Sequence, residues 1–183
     1  MIAKRFVALV RGINVGKAKR IAMEDLRALV EGLGYGDVRT LLNSGNLVFT
    51  AAESAPKGDP AARIEKALEQ QLGVSARVLA ISAAELDTIV TENPLLEQMK
   101  DPSRLLVAVL QSPADRASLE PLLEQDWGAD ALALGTRSAY LWCEEGILAS
   151  PLPEMLAKAV KQRTTTRNWS TILKLQRLLQ EGT

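Results

Sequence analysis

Apolar and polar positions follow one order along the chain, and that order occurs twice. Near-continuous apolar runs at 4–11 (KRFVALVR) and 104–111 (RLLVAVLQ) begin each half. Such runs predict strands that are buried on both faces. Apolar residues at helical spacing follow each run, and short polar turns separate the segments after that. Each half is therefore predicted to run strand, helix, strand, strand, helix.

The first half contains one further strand. Its predicted elements are a strand at 4–11, a helix at 23–33, a hairpin of strands at 37–42 and 46–50, a helix at 60–72, a strand at 74–81, and a short helix from Ser82 to about Thr91. With the strand at 74–81 this half is a complete βαββαβ unit, the ferredoxin-like split βαβ motif.

The second half repeats the order. Its predicted elements are a strand at 104–111, a helix at 113–127, a hairpin of strands at 130–134 and 139–143, and helices at 153–162 and 169–179. We predict an α+β fold: a tandem pair of ferredoxin-like (βαββα) motifs with antiparallel sheets and packed helices. The predicted organisation is a first half at 1–92, a linker at 93–103, and a second half with the C-terminal helices at 104–183.

The composition excludes several kinds of catalytic and metal site without indicating a particular reaction. The chain of 183 residues has no histidine and one cysteine, Cys143. Catalytic triads, imidazole bases, His-ligated zinc, paired-cysteine metal sites and an internal disulfide are therefore excluded. Cys143 follows Trp142 with no basic neighbour in sequence, which favours a buried, inert thiol. No nucleophile–base pair is visible, so whether the protein is an enzyme is left open, and we expect no metal and no cofactor.

Charge is balanced overall and uneven along the chain. The 22 basic and 22 acidic residues cancel. Residues 1–39 carry eight basic and four acidic residues, residues 40–157 carry eight and 17, and residues 158–183 carry six and one. If the two ends meet, they form a basic face that attracts phosphates, nucleic acid or acidic molecules. Scattered surface charge explains the same counts, and both interpretations stay open.

The compartment is inferred from targeting signals. The apolar stretch 6–10 is short for a signal-peptide core, and Arg11 follows it. No apolar run approaches the roughly 20 residues of a membrane span. We expect a cytoplasmic protein that does not contact the membrane.

The first candidate site is the basic loop at 11–20 (RGINVGKAKR), which joins a strand to a helix. Glycines let backbone N–H groups approach an anion, and a helix N-terminus favours one. The phosphate-loop pattern does not fit, because Gly12 and Gly16 are one residue too close and Ala18 lacks the hydroxyl that Mg²⁺ needs. A tight connection with solvated lysines is the alternative. The candidate ligand-binding residues here are Arg11, Gly12, Asn14, Gly16, Lys17 and Lys19.

The second candidate is the turn Asn43-Ser44-Gly45-Asn46. Asn and Gly are what a hairpin turn with positive φ needs, so a purely structural role is the alternative. In a ferredoxin-like sheet the first and third strands are antiparallel neighbours. Arg11 should then lie beside Asn46, so that the basic loop and this turn share one edge. Ser44, Gly45 and Asn46 complete the candidate site there.

The third candidate precedes the last helix at 163–171 (RTTTRNWST). Thr166 or Asn168 is a plausible helix N-cap, and Trp169 fits a core position. Arg167 could instead bind an anion or stack on a base. We include Arg167, Asn168 and Trp169 among the candidate ligand-binding residues.

Four segments carry a family resemblance. They are FVALVRGINVGK at 6–17, MEDLRAL at 23–29, VRTLLNSGNLVF at 38–49 and TTTRNWSTILKL at 164–175. In this order they resemble the bacterial domain-of-unknown-function family sixteen-ninety-seven over nearly the whole chain. The resemblance implies two ferredoxin-like motifs and no established activity, cofactor or substrate. Its hallmark segments fall on Arg11, Gly12, Ile13, Asn14 and Gly16, on Ser44, Gly45 and Asn46, and on Arg167, Asn168, Trp169 and Lys174. Lys17-Ala18 departs from the family, whose members often carry a further glycine there.

Binding of a small anionic ligand, a nucleotide or another phosphorylated metabolite, is the preferred function. Its site would be the edge formed by 11–20 and 43–46, closed by Arg167 and Trp169. The alternatives are non-specific nucleic-acid binding through a basic face, a protein-interaction module, and an enzyme that works without histidine. Nucleic acid ranks below the small anion because only 4% of the residues are aromatic, which leaves few stacking platforms.

Overall fold

Two four-stranded antiparallel sheets organise the part of the chain that the computed structural model describes, residues 3–17 and 19–181. Contacts divide the chain into a first unit, Met1–Leu86 with Lys174–Thr183, and a second unit, Asp87–Leu173. Each unit contains one sheet. The predicted tandem ferredoxin-like fold is thereby confirmed.

The first unit is a complete βαββαβ motif. Its elements are β1 (Lys4–Arg11), α1 (Met23–Gly32), β2 (Gly36–Leu41), β3 (Asn46–Ala51), α2 (Pro60–Leu72) and β4 (Arg77–Ser82). The sheet order is β2-β3-β1-β4, with β1 antiparallel to both β3 and β4. A short helix, α3 (Ala83–Thr91), follows β4, with Ser82 Oγ accepting a hydrogen bond from the Glu85 amide at 3.2 Å.

Helix α2 shows how local sequence sets these bounds. The Asp59 side chain caps its start by accepting from the Ala61 amide at 3.0 Å, and Pro60 occupies the first turn. Gly73 ends the helix in the left-handed conformation at φ 61°. Ile64 and Leu68 are fully buried on its inner face, where they join the core of the unit. The predicted bounds 60–72 are confirmed.

Strand β1 is buried on both faces, as its unbroken apolar run predicts. Val7 and Ala8 point to opposite faces of the sheet, and each is 0% exposed. Ala8 belongs to the core beneath α1 and α2, together with Leu47 and Phe49 of β3.

The second unit repeats the strand order. Its elements are β5 (Leu105–Leu110), a 3₁₀ helix (Pro113–Leu119), α4 (Glu120–Leu123), β6 (Ala131–Leu134), β7 (Ser138–Trp142), α5 (Leu152–Ala159) and β8 (Thr164–Asn168). The sheet order is β6-β7-β5-β8, the counterpart of the first sheet. The last helix, α6 (Trp169–Gln180), begins in this unit and ends in the first.

Three expectations about the second half need correction. The helix predicted at 113–127 is a 3₁₀ helix followed by a single α-helical turn, because Pro121 cannot donate a helical hydrogen bond. The helix predicted at 153–162 ends at Ala159, and Lys161 and Gln162 have positive φ. The segment 164–168, predicted as the entry to a helix, is strand β8, paired with β5 through Val109 and Thr165.

The predicted linker 93–103 contains no helix and no strand in the structure. The boundaries 1–92 and 104–183 remain a prediction about which segments fold as halves. Among residues 3–17 and 19–181, no helix is long and apolar enough to cross a membrane.

Candidate functional site

The basic loop and the 43–46 turn meet at the end of the first sheet where β1 ends and β3 begins, which confirms that the two segments are neighbours. Leu9 lies opposite Asn46 in the register of β1 and β3. The Val10 amide donates to the Gly45 carbonyl at 2.8 Å. The antiparallel pairing of β1 with β3 thus places both segments together. Ala18 of this loop lies outside the described residues.

Asn14 holds the loop to its surroundings. Its backbone is left-handed at φ 54°, a conformation that Asn tolerates better than most residues. Its Nδ2 donates to the Ile21 carbonyl at 2.9 Å and to the Asn43 carbonyl at 2.8 Å, while its Oδ1 accepts from the Ile21 amide at 2.8 Å. Both hydrogens of the side-chain amide are therefore used within the protein.

The two candidate lysines of the loop differ. Lys19 Nζ donates to the carbonyls of Leu72 and Gly73 at 2.7 and 3.2 Å, so it caps the C-terminal end of α2. Lys17 is exposed. Gly16 beside it has φ 55°, and apart from its chain neighbours no described residue has an atom within 4 Å of the position of a Cβ there.

Side chains of the 43–46 turn stabilise the turn itself. Asn46 is fully buried, and its Nδ2 donates to the Leu41 carbonyl at 3.0 Å and to Ser44 Oγ at 2.8 Å. Gly45 has φ 80°, and a Cβ there would stand 2.8 Å from Val10 Cβ. The sequence of the turn therefore satisfies its buried amide and admits the close approach of β1.

The third group of candidates lies in the second unit. Asn168 Oδ1 accepts from the Thr171 amide at 2.9 Å, which confirms Asn168 as the N-cap of α6. Trp169 is 3% exposed, in agreement with a core position. Arg167 is partly buried on β8, donates to the Thr166 carbonyl at 2.8 Å, and has its pKa lowered to about 10 by desolvation.

A cavity of about 530 Å³ adjoins the loop in the first unit. Arg11 and Gly12 form part of its wall. The remaining lining residues come from α2, from the segment before β4 and from the first residue of β4: Ala62, Glu65, Lys66, Glu69, Ser75, Ala76 and Arg77. Three cations and two carboxylates line this cavity, which leaves it a formal charge of +1. We call it the Arg11 cavity.

One of the two carboxylates is occupied. Glu65 Oε1 accepts from the Val78 amide at 2.7 Å, and Glu65 Oε2 lies 3.9 Å from Arg77 Nη1. Glu65 therefore ties α2 to the edge strand β4 and partly neutralises Arg77. Arg77 is opposite Arg11 in the register of β1 and β4, so two guanidinium-bearing residues occupy neighbouring positions on adjacent strands.

The sequence analysis missed Lys66, Ser75 and Arg77. Lys66 lies on the amphipathic helix α2, where a lysine is typical of a solvated face. Arg77 becomes a neighbour of Arg11 only through the pairing of β1 with β4. The ferredoxin-like order contains that pairing, so the predicted topology was the signal that could have found Arg77.

Other chemistry finds little support in the described part of the chain. No cluster of three or more His, Cys, Asp or Glu residues there could hold a metal ion. Cys143 is 0% exposed, and burial raises the pKa of its thiol, so the reactive thiolate is disfavoured.

Comparison with known proteins places the chain in a family. The family model for a protein of unknown function, DUF1697, matches residues 3–140, and the chain belongs to this family. The match includes the basic loop and the 43–46 turn and ends before the segment 164–175.

A solved structure is also similar. It is the conserved bacterial protein SP0830 from Streptococcus pneumoniae, with a TM-score of 0.78 and 22% sequence identity over 97% of this chain and 99% of that chain. This likeness shows the shared fold. Among curated proteins no significant match is found.

Proposed function

We propose that this protein binds a small anionic ligand that carries a phosphate group, a nucleotide or another phosphorylated metabolite, in the Arg11 cavity. The observation that carries the proposal is the composition of the cavity wall. Arg11 and Gly12, singled out from the sequence, share that wall with two further cations, Lys66 and Arg77.

Each lining group has a chemical part to play. A guanidinium can donate two parallel hydrogen bonds to phosphate oxygens, which suits Arg11 and Arg77, whereas Lys66 contributes a point charge. Gly12 has φ 85°, and among the described residues other than its chain neighbours no atom lies within 4 Å of the position of a Cβ, so its backbone is open to a close approach. The Ser75 hydroxyl can orient the ligand.

The size of the cavity favours a small molecule. Its volume of about 530 Å³ lies within the usual range for ligand pockets, about 300 to 1,000 Å³. Among the candidate residues of the loop that do not line the Arg11 cavity, three have other roles. Asn14 fixes the conformation of the loop, Lys19 caps the C-terminal end of α2, and Lys17 adds long-range attraction for an anion.

A thermal-shift panel of nucleotides, phosphorylated metabolites and short oligonucleotides, each at low and moderate salt, tests the proposal. A ligand present at 100 times its Kd adds about 2.7 kcal/mol of stability. For a chain of this length the expected increase in Tm is roughly 5–10 °C. We expect a small phosphorylated compound to give this shift at both salt concentrations.

Two variants show whether the response comes from the cavity. Arg11→Ala combined with Lys66→Ala should abolish the shift. Arg27→Ala removes one exposed cation of the same unit, outside the cavity, and should preserve it. A response only to oligonucleotides, lost with salt, would overturn the proposal in favour of nucleic-acid binding. Silence across the panel would overturn it as well.

A further inference from the structure

A second cavity lies at the opposite end of β1, where the strand begins. It has a volume of about 450 Å³. Its wall comprises Lys4 and Phe6 of β1, Tyr35 before β2, Ala51 at the end of β3, Pro60 of α2, and most of the loop between β3 and α2: Ala52, Glu53, Ala55, Pro56, Lys57 and Gly58. We call it the Tyr35 cavity. All of these residues belong to the first unit.

Tyr35, one of the lining residues, carries an unsatisfied donor. The residue is 4% exposed, and its hydroxyl is buried without a hydrogen-bond partner among residues 3–17 and 19–181. A buried hydroxyl that lacks a partner destabilises the folded protein. Such a group is uncommon in a folded protein, and a ligand with a hydrogen-bond acceptor would satisfy it.

The tyrosine ring is held by aromatic neighbours. Its centroid lies 4.7 Å from that of Phe49 at 52°, and Phe49 stacks on Phe6 at 5.5 Å and 16°. Phe6 is itself a cavity residue. The same aromatic row therefore fixes Tyr35 and gives the cavity an apolar floor, which Pro56 and Pro60 extend.

The ionisable groups give the wall a small positive charge. Lys4, Lys57 and Glu53 line it, for a formal charge of +1. The neighbouring ionic residues are occupied elsewhere: Asp59 caps α2, and Arg63 Nε donates to the Lys57 carbonyl at 3.2 Å. The N-terminus of α2 adds no free donor at its first position, because Pro60 has no amide hydrogen.

We propose that the Tyr35 cavity binds a small monocarboxylate with an apolar body. The Tyr35 hydroxyl donates a hydrogen bond to the carboxylate, Lys4 and Lys57 supply the opposite charge, and Phe6 with the two prolines contacts the apolar part. A single negative charge matches the wall. This site is separate from the Arg11 cavity and does not rest on the function proposed for it.

Protonation of Tyr35 agrees with this role. Burial raises the pKa of its hydroxyl, while the charge of Arg63 opposes that shift in part. At neutral pH the group is therefore a hydroxyl, which donates to a carboxylate rather than repelling it.

Titration of the ¹⁵N-labelled protein with phenylacetate tests the proposal, with phenylacetamide as the neutral analogue of the same shape. We expect saturable shifts of the amide signals of residues 51–55 and 57–58 with phenylacetate. The affinity for phenylacetamide should be lower by a factor of about ten or more, because this compound lacks the charge that the lysines attract. Equal binding of the two compounds, or no saturation below about 10 mM, would overturn the proposal.

Tyr35→Phe separates a ligand site from a merely packed tyrosine. The variant keeps the ring and removes the unsatisfied hydroxyl, so the ligand-free protein should be as stable as the wild type or more stable. Phenylacetate affinity should fall about tenfold. The matched control Arg27→Ala should bind phenylacetate like the wild type. Unchanged affinity in Tyr35→Phe would contradict the proposal, as would a destabilised ligand-free variant, which indicates a hydroxyl that is already satisfied by water.

Discussion

Asn14 Nδ2 donates a hydrogen bond of 2.8 Å to the carbonyl of Asn43, 29 residues further along the chain. This bond joins the loop that leaves β1 to the turn that enters β3. Both residues were part of segments that sequence analysis placed at one edge of the sheet. The bond shows that the edge is held together by side chain to backbone contacts in addition to the strand ladder.

Replacing Asn14 should destabilise the protein through this contact. Asn14→Ala removes three side-chain hydrogen bonds. It also places alanine, which tolerates the left-handed region less well than asparagine, at φ 54°. We therefore expect the free energy of unfolding to fall by roughly 2–3 kcal/mol. Asn14→Gly removes the same bonds and tolerates the backbone, so it should lose about 1 kcal/mol less. Urea unfolding measures both. Equal stability of Asn14→Ala and the wild type would show that the bonds contribute nothing.

Gly45 should be intolerant of any side chain. A Cβ there would lie 2.8 Å from Val10 Cβ and 2.9 Å from Ile13 Cδ1, in addition to the strain at φ 80°. Because Val10 and Ile13 are core residues, we expect Gly45→Ala to lose on the order of 2–4 kcal/mol of stability.

Gly12→Ala is the matched control for that prediction. Its φ of 85° is similar, and in the described part of the chain no atom beyond its two neighbours lies within 4 Å of the Cβ position, so backbone strain alone should cost about 1 kcal/mol. Thermal or urea unfolding of both variants compares them directly. A loss as large for Gly12 as for Gly45 would show that the close contacts of Gly45 are unimportant.

Stability should fall at high pH through Tyr140. Its hydroxyl donates to the Ile89 carbonyl at 2.6 Å, and desolvation raises its pKa to about 12 from an ordinary value of 10.0. The folded state thus binds this proton more tightly than the unfolded state does. The resulting stability is complete below pH 10 and is lost as pH rises towards 12, on the order of 2 to 3 kcal/mol in total.

Comparison of the wild type with Tyr140→Phe isolates that contribution. Below pH 10 the variant should be less stable by about 1 kcal/mol, because it lacks the hydrogen bond. Between pH 10 and 12 the wild type should lose the part of its free energy of unfolding that depends on the protonated Tyr140 hydroxyl. The variant has no such hydroxyl and should not show this loss. Urea unfolding as a function of pH measures the difference, and a gap that stays constant to pH 11.5 would contradict the assignment.

The elements that the sequence predicts best are those whose ends have a chemical cause. The bounds of β1 coincide with an apolar run flanked by basic residues, and those of α2 with an Asp59 cap and Gly73. Strand β8 was missed because its residues 164–168 are threonines, an arginine and an asparagine, without an apolar pattern. Its pairing with β5 is a tertiary contact that a local pattern does not contain.

For the candidate site, too, strand order could be predicted from the sequence, whereas the individual side-chain contacts could not. The meeting of the basic loop with the 43–46 turn follows from strand order, and the Val10–Gly45 and Asn14–Asn43 hydrogen bonds confirm it, although Leu9 rather than Arg11 is the residue opposite Asn46. The roles of Asn14 and Lys19 depend on the exact distance to Asn43 and to the end of α2, which spacing along the chain does not give. Lys66 joins Arg11 only because α2 packs over the sheet beside β4.

The most direct test of the central proposal is an NMR titration with inorganic pyrophosphate, which offers phosphate chemistry without a base or a sugar. The proposal predicts saturable shifts of the amide signals of Gly12, Ser75, Ala76 and Arg77, and their loss in Arg11→Ala but not in Arg27→Ala. Shifts that map elsewhere, or that persist in Arg11→Ala, would contradict the Arg11 cavity as the anion site.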